Sequence, residues 1–222
     1  CLAAFLSLLL NFMPFLGRIP LWLSSTIYEI GTSSIFILLY LVMLFGIVML
    51  AVGVAFFDFS RMGNDPSTSL AIALGDVTGL GLSVMMLIDN SAFFLVEILW
   101  GRSMIGIGTF VNWTCIGPIA EVLLGLLNCV PQLRGGDLPF FPRLVIMVLG
   151  VLILSFGASL YQTADTGIAP YDALSILMSR KQKKIPYFWC RIATDSACAL
   201  AAALLGGIVG LGTLICALGL GP

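Results

Sequence analysis

The chain has 222 residues, of which 60% are apolar and only 9% are charged, and its mean hydropathy is +1.12. Soluble domains are about 45–50% apolar and about 25% charged, so this composition excludes an ordinary soluble globular protein. The net charge of −1 disfavours nucleic-acid binding, and the absence of histidine removes the commonest metal ligand and general base. The six cysteines show no C-x-x-C spacing, which favours a packing role. We predict an all-α membrane protein with no enzymatic activity, no cofactor and no metal.

Apolar runs predict where the chain crosses the membrane, because a helix needs about 20 apolar residues to span a bilayer core of ~30 Å. Within an N-terminal apolar segment, 1–32, the opening stretch 1–17 fits a seventh span, an interfacial helix or a signal-like segment that lacks a basic n-region. Six predicted spans follow in chain order at 35–57, 80–100, 103–127, 144–164, 185–205 and 208–222. Most of the ten Lys and Arg residues then fall on one side, which places the basic loop from Arg180 to Lys184 in the cytoplasm.

An internal repeat relates the two halves of the chain. Moving residues 43–118 along by 104 positions aligns them with 147–222 without a gap, and glycines and prolines coincide. Each half holds three spans, so the second half enters the membrane from the opposite side. We therefore predict a 3+3 inverted repeat, 33–128 and 143–222 joined by a linker at 129–142. The alternative is a duplication that only built a stable bundle. The coincident pairs include Gly63 with Gly167, Gly106 with Gly210, and Pro66 with Pro170.

Short helices are predicted to begin at Pro66 and Pro170, and they are too short to cross the bilayer. Asp65 is a strong N-cap candidate. A half-helix that dips into the membrane carries a positive N-terminal end, which favours anions. Asp172 either satisfies that dipole or, with Tyr171 and Asp165, forms part of a polar site, which would make the second half the functional one.

Ionisable residues inside the predicted spans mark function or pairing. Arg191 and Asp195 lie four apart on one helix face and can pair, either as a structural lock or as part of a substrate site. Under the 104-residue offset, Asp89 falls near the first-half position that corresponds to the Arg191–Asp195 pair. Glu97 is expected to reach the membrane interface. The predicted substrate-binding residues are Asp65, Asp89, Asp165, Tyr171, Asp172, Arg191 and Asp195.

The stretches "TGIAPYDALSILMSRK", "RIATD" and 206–222 resemble the bacterial YczE/YitT-type integral membrane proteins. The resemblance covers roughly residues 46–222 and implies a multi-pass protein of the bacterial cytoplasmic (inner) membrane. Members of the family are described as permeases. Ser67 and Thr68 depart from the family pattern, which commonly has an aromatic residue and an acid there.

These observations predict a permease or exporter-like carrier of a small molecule, with its site between the repeats. One alternative is a non-transporting membrane subunit or assembly partner, which would dock through the basic loop 180–184. A solute-binding subunit of a multi-component transporter is a further alternative, as is a lipid-modifying enzyme or lipid flippase. The expected partners are the lipid bilayer and the transported molecule.

Overall fold

The structure, a computed structural model, describes residues 21–129, 138–182 and 185–219, with side chains from residue 33 onward. These ranges form α-helices and contain no strand. By its internal contacts the chain divides into 1–41 and 42–222, and the fold described below is that of the second unit. The helices are α1 (Leu21–Ser60), α2 (Pro66–Thr78), α3 (Leu82–Trp100), α4 (Ile107–Asn128), α5 (Phe140–Thr163), α6 (Pro170–Lys181), α7 (Tyr187–Leu204) and α8 (Leu211–Gly219), with one 3₁₀ turn at Arg102–Met104.

Four helices are long and apolar enough to cross a membrane: Ser33–Ser60 within α1, then α3, α4 and α5. They coincide with the first four predicted spans. The predicted span 185–205 corresponds to α7, whose 18 residues include the charged Arg191 and Asp195. The described part of the last predicted span is α8, with nine residues. A multi-pass helical membrane protein is therefore supported, and the fifth and sixth spans stay predictions.

Two short helices begin at prolines, as predicted. The 13 residues of α2 and the 12 of α6 extend about 20 and 18 Å at ~1.5 Å per residue, well short of a bilayer core. Asp65 caps α2, since its Oδ2 accepts the backbone N–H of Thr68 at 3.1 Å. Ala169 precedes α6 and offers no side-chain cap, but Asp172 lies in the first turn of that helix.

Glycines bring the backbones of α1 and α5 into direct contact. A Cβ atom added at Gly46 would lie 2.9 Å from the carbonyl oxygen of Gly157, and one added at Gly157 would lie 2.9 Å from that of Gly46. Two helical turns further along, a Cβ added at Gly150 would lie 3.4 Å from the carbonyl oxygen of Gly53, and one added at Gly53 would lie 2.7 Å from Leu154 Cβ. Small residues allow this close approach in membrane helices, where lipid supplies no hydrophobic driving force.

The loop before each short helix is bound to the first turn of a helix from the other half. Gly212 at the start of α8 donates its N–H to Met62 O at 3.0 Å, and Gly108 at the start of α4 donates to Thr166 O at 2.9 Å. The two bonds are related by the 104-residue offset. The helix packing follows the same relation, because α2 packs against α7 while α6 packs against α3.

Gly63 and Gly167 make these loops possible. Their φ angles are +97° and +130°, which L residues rarely adopt. A Cβ at Gly63 would lie 2.6 Å from Gly210 N, and one at Gly167 would lie 2.7 Å from Gly106 N. The coincident glycines of the two halves thus meet across the halves.

Arg143 of α5 closes the C-terminal end of α1. Its Nε donates to Ser60 O at 2.8 Å and its Nη2 donates to Arg61 O at 2.7 Å. The last carbonyl groups of a helix have no intrahelical partner, and a guanidinium satisfies two of them here. A buried cluster that includes Phe57, Met147 and Cys216 then packs α1, α5 and α8 together.

Candidate functional site

A cavity of about 320 Å³ lies where the short helices α2 and α6 begin. Helices of both halves line it, so it lies between the regions related by the offset. Its volume is at the lower end of the ~300–1,000 Å³ typical of small-molecule sites. The polar lining includes Asp65, Asn112, Tyr171, Asp172, Arg191 and Asp195.

The Arg191 guanidinium is shared by two carboxylates. Its Nη1 donates to Asp172 Oδ1 in the first turn of α6, and its Nε lies 3.4 Å from Asp195 Oδ2 one turn along α7. The guanidinium carbon also lies 4.8 Å from the centroid of the Tyr171 ring, within cation–π distance. The predicted Arg191–Asp195 pair is present, with Asp172 as a second acid.

Tyr171 joins α6 to α7 by donating its hydroxyl to Asp195 Oδ1. Pro170 starts α6 and places Tyr171 in its first turn, while Arg191 and Asp195 share a face of α7 because they are four residues apart. Asp195 is only 1% exposed, so its charge depends on the Tyr171 hydroxyl that donates to it and on the nearby Arg191 guanidinium. Burial raises the pKa of Tyr171 above its usual range, and the phenol therefore acts as a donor.

Asp65 approaches the same cavity from the first half. One carboxylate oxygen, Oδ2, caps α2, whereas Oδ1 is buried without a hydrogen-bond partner among the described residues. Burial raises the pKa of Asp65, because the charged form loses its hydration. Asn112 of α4 also lines the cavity and is only 5% exposed. No described residue makes a hydrogen bond to its carboxamide.

The structure brings five of the seven predicted residues to this cavity: Asp65, Tyr171, Asp172, Arg191 and Asp195. Asp165 is exposed, has a φ of +47° in the turn before α6, and lines a second cavity of about 470 Å³. The two cavities adjoin, since Gln162, Asp172 and Tyr187 line both.

Asp89 lines neither cavity, although its neighbour Asn90 lines the first. Successive residues of an α-helix point about 100° apart, so a one-residue shift in the predicted register moves the side chain away from the site. Asp89 Oδ2 is buried and has no hydrogen-bond partner in the described part of the chain.

The structure bears on three expectations from the sequence, of which the one for Glu97 needs correction. Asp65 caps α2 with one carboxylate oxygen, as predicted, and Asp172 lies in the first turn of α6, where it pairs with Arg191. The second half, which the sequence analysis favours, supplies Tyr171, Asp172, Arg191 and Asp195 to the cavity, while Asp65 and Asn112 belong to the first half. Glu97 does not reach the interface: it is 0% exposed, because α3 packs against α6 there.

Sequence reasoning missed the uncharged polar residues of the site. Asn112 and the serines Ser155 and Ser159 line the cavity from within predicted spans. The available signal was a carboxamide inside an apolar run, since amide groups at membrane depth also need partners. Charged residues inside the spans give a stronger signal, because the free-energy cost of placing a charge in a membrane is larger.

Residues 37–222 match the family described as "Family of unknown function (DUF6198)". The chain belongs to this family. A protein of Haemophilus influenzae named "Uncharacterized protein" is 26% identical over 203 residues, which cover 90% of this chain and 85% of that one. The "Uncharacterized membrane protein YczE" of Bacillus subtilis is 24% identical over 174 residues, covering 78% and 77%. The resemblance to YczE-type membrane proteins is thereby confirmed. No solved structure matches this DUF6198 chain.

Proposed function

We propose that this DUF6198 protein is a carrier of a small molecule in the bacterial cytoplasmic membrane, with its binding site in the 320 Å³ cavity. The observation that carries the proposal is the composition of that cavity. Asp65 and Asn112 come from one half of the chain, while Tyr171, Asp172, Arg191 and Asp195 come from the other. Carriers built from inverted repeats hold their substrate at such an interface, next to interrupted helices.

The contacts between the halves support an inverted-repeat architecture. The Gly212–Met62 bond and the Gly108–Thr166 bond exchange roles under the 104-residue offset, as a two-fold axis requires. The α2–α7 and α3–α6 contacts exchange in the same way. Under this proposal α7 and α8 complete the second set of three spans, and α2 and α6 enter the bilayer from opposite sides.

Ionisable groups in the cavity give it a chemical role. A charged group at membrane depth is costly and persists where it is paired or handles a solute. Arg191, Asp172 and Asp195 neutralise one another in part, and Tyr171 fixes Asp195 in position. The Asp172–Arg191 pair also lies where the two cavities adjoin, so its opening would connect them.

Untargeted uptake tests this proposal without a known substrate. Proteoliposomes containing the full chain would be incubated with a bacterial metabolite extract, washed, and their contents profiled by mass spectrometry. We expect at least one small solute to enter faster than into protein-free liposomes, and Asp195→Asn to abolish that uptake. Asp76→Asn is the matched control, because Asp76 is exposed on α2. Contents identical to those of protein-free liposomes would contradict the carrier and favour a non-transporting subunit.

A further inference from the structure

We infer that the substrate of the cavity is a small organic cation, which binds through an ammonium group to Asp65 Oδ1 and the Asn112 carboxamide in exchange for a proton. This inference rests on the proposed carrier function and names the chemical class of its cargo.

The charge of the cavity lining favours a cation. Asp65, Asp172 and Asp195 set three carboxylates against the one guanidinium of Arg191, which leaves a formal charge of −2 when all are ionised. Lys and Arg side chains other than Arg191 are absent from the described lining. A positively charged ligand therefore enters a negative potential, and an anion is repelled.

The two helix N-termini at the cavity and the Arg191 guanidinium in its lining each have a protein carboxylate beside them. Asp65 accepts from the first turn of α2, and Asp172 lies in the first turn of α6. Arg191 is held by Asp172 and Asp195 together. A carboxylate or phosphate ligand would have to displace one of these acids, whereas an ammonium group would leave them all in place.

Asp65 Oδ1 and the Asn112 carboxamide are buried acceptor groups at the cavity that remain for a ligand. Asp65 Oδ1 has no hydrogen-bond partner among the described residues, although the same carboxylate caps α2 through Oδ2. Asn112 is more than nine-tenths buried, lines the cavity, and makes no hydrogen bond to any residue that the structure describes. Buried polar groups are nearly always paired in native proteins, so unpaired acceptors facing a cavity indicate a missing donor.

A proton is the natural competitor for Asp65. Burial raises the pKa of this carboxyl, so the empty cavity favours the protonated acid. The titratable and charged groups that interact with Asp65 are Arg191, Asp195 and Cys198 on α7 and Cys216 on α8. Asp172 of α6 lines the same cavity. When a cation binds, the proton on Asp65 leaves to solvent, and one positive charge replaces another.

A matched set of probes tests the charge preference on the purified full chain in detergent. The set contains primary, secondary and quaternary ammonium ions, each with the alcohol and the carboxylate of the same carbon skeleton. The readout is the ligand-induced rise in unfolding temperature, followed by calorimetric titration of the best probe. We expect stabilisation by the primary and secondary ammonium members, which carry N–H donors, and not by the quaternary ion, the alcohols or the carboxylates. Binding should weaken at mildly acid pH because protons compete for Asp65.

Variants assign the effect to the cavity. Asp65→Asn keeps the N-cap, since Asn caps helices as well as Asp does, and removes only the charge. We expect it to weaken ammonium binding at least about tenfold and to abolish the pH dependence, because a charge-assisted hydrogen bond becomes a neutral one. Asn112→Leu, which leaves α2 untouched, should also weaken binding, whereas the exposed Asp76→Asn should not.

Three results would overturn the inference: preferential stabilisation by the carboxylates or alcohols, no stabilisation by any ammonium ion, or ammonium binding that survives unchanged in Asp65→Asn. The failure of the carrier proposal is distinguishable. Ammonium binding without uptake in proteoliposomes would contradict the carrier proposal and support the cation site. Uptake of a neutral or anionic solute would support the carrier proposal and contradict the inference that the substrate is a cation.

Discussion

Gly212 donates its backbone N–H to the carbonyl oxygen of Met62 at 3.0 Å, which binds the first turn of α8 to the loop before α2. The 104-residue offset relates Gly108 to Gly212 and Met62 to Thr166. The corresponding bond is also present, since Gly108 donates its backbone N–H to Thr166 O at 2.9 Å. Each half of the chain thus holds the loop that precedes the other half's short helix. The position of both short helices, and hence of the cavity between them, depends on this exchange.

The glycines of these loops should be sensitive to a single methyl group. Gly63→Ala and Gly167→Ala add a Cβ at positive φ that would lie within 2.7 Å of Gly210 N and Gly106 N respectively. We expect each to lower the free energy of unfolding by at least about 1–2 kcal/mol, measured by thermal denaturation in detergent. Gly125→Ala is the control, because no atom lies within 4 Å of its added Cβ. Equal stability of all three variants would contradict the cross-half contact.

Removing the guanidinium that closes α1 should destabilise the α1–α5 contact. Arg143→Ala leaves Ser60 O and Arg61 O without the donors that now lie 2.8 and 2.7 Å away. We expect a loss of about 1–3 kcal/mol, the usual effect of unpairing such groups. The exposed Arg180→Ala should change stability little. An Arg143→Ala variant as stable as the unaltered protein would show that water replaces the guanidinium without loss of stability.

The Tyr171–Asp195 bond should couple α6 to α7 energetically. Tyr171→Phe removes the hydroxyl and leaves the ring against Arg191, so we expect destabilisation of about 1.5–3 kcal/mol. A double-mutant cycle with Asp195→Asn isolates the pair, and its coupling energy should exceed about 0.5 kcal/mol. Additive effects of the two substitutions would mean that the hydroxyl and the carboxylate do not interact.

The acids of the ion network should matter for transport as charges and not only as hydrogen-bond acceptors. Asp172→Asn and Asp195→Asn each leave Arg191 with one ionised partner instead of two. We expect both to abolish uptake into proteoliposomes while the protein still folds, as judged by a single elution peak and helical circular dichroism. The control is Asp76→Asn, which alters an exposed residue that lines neither cavity. Full uptake by both Asn variants would remove this assignment.

Much of the helical layout follows from local sequence signals. Runs of apolar residues predicted the four long helices, and Pro66, Pro170 and the Asp65 cap marked where the short helices begin. The pairing of Arg191 with Asp195 followed from spacing alone. These features depend on residues close together in the chain, which a sequence displays directly.

Contacts between distant segments were harder to predict. Asp172 joins Arg191 from another helix, and Asn112 reaches the cavity from α4, neither of which spacing reveals. Glu97 lies near a helix end, where the sequence predicts access to the interface, but the packing of α3 against α6 buries it. Tertiary packing decides such cases, and the sequence contains no local mark of it.

A carrier with its site in the cavity between the two halves requires that this cavity opens to both sides of the membrane in turn. Ser67, at the start of α2, lines that cavity and can be replaced by cysteine after the six native cysteines are exchanged for serine or alanine. A membrane-impermeant thiol reagent would then be applied separately to right-side-out and inside-out vesicles. We expect Ser67→Cys to react from both sides. Reaction from one side alone, under every condition, would contradict a carrier and support a site that binds without transporting.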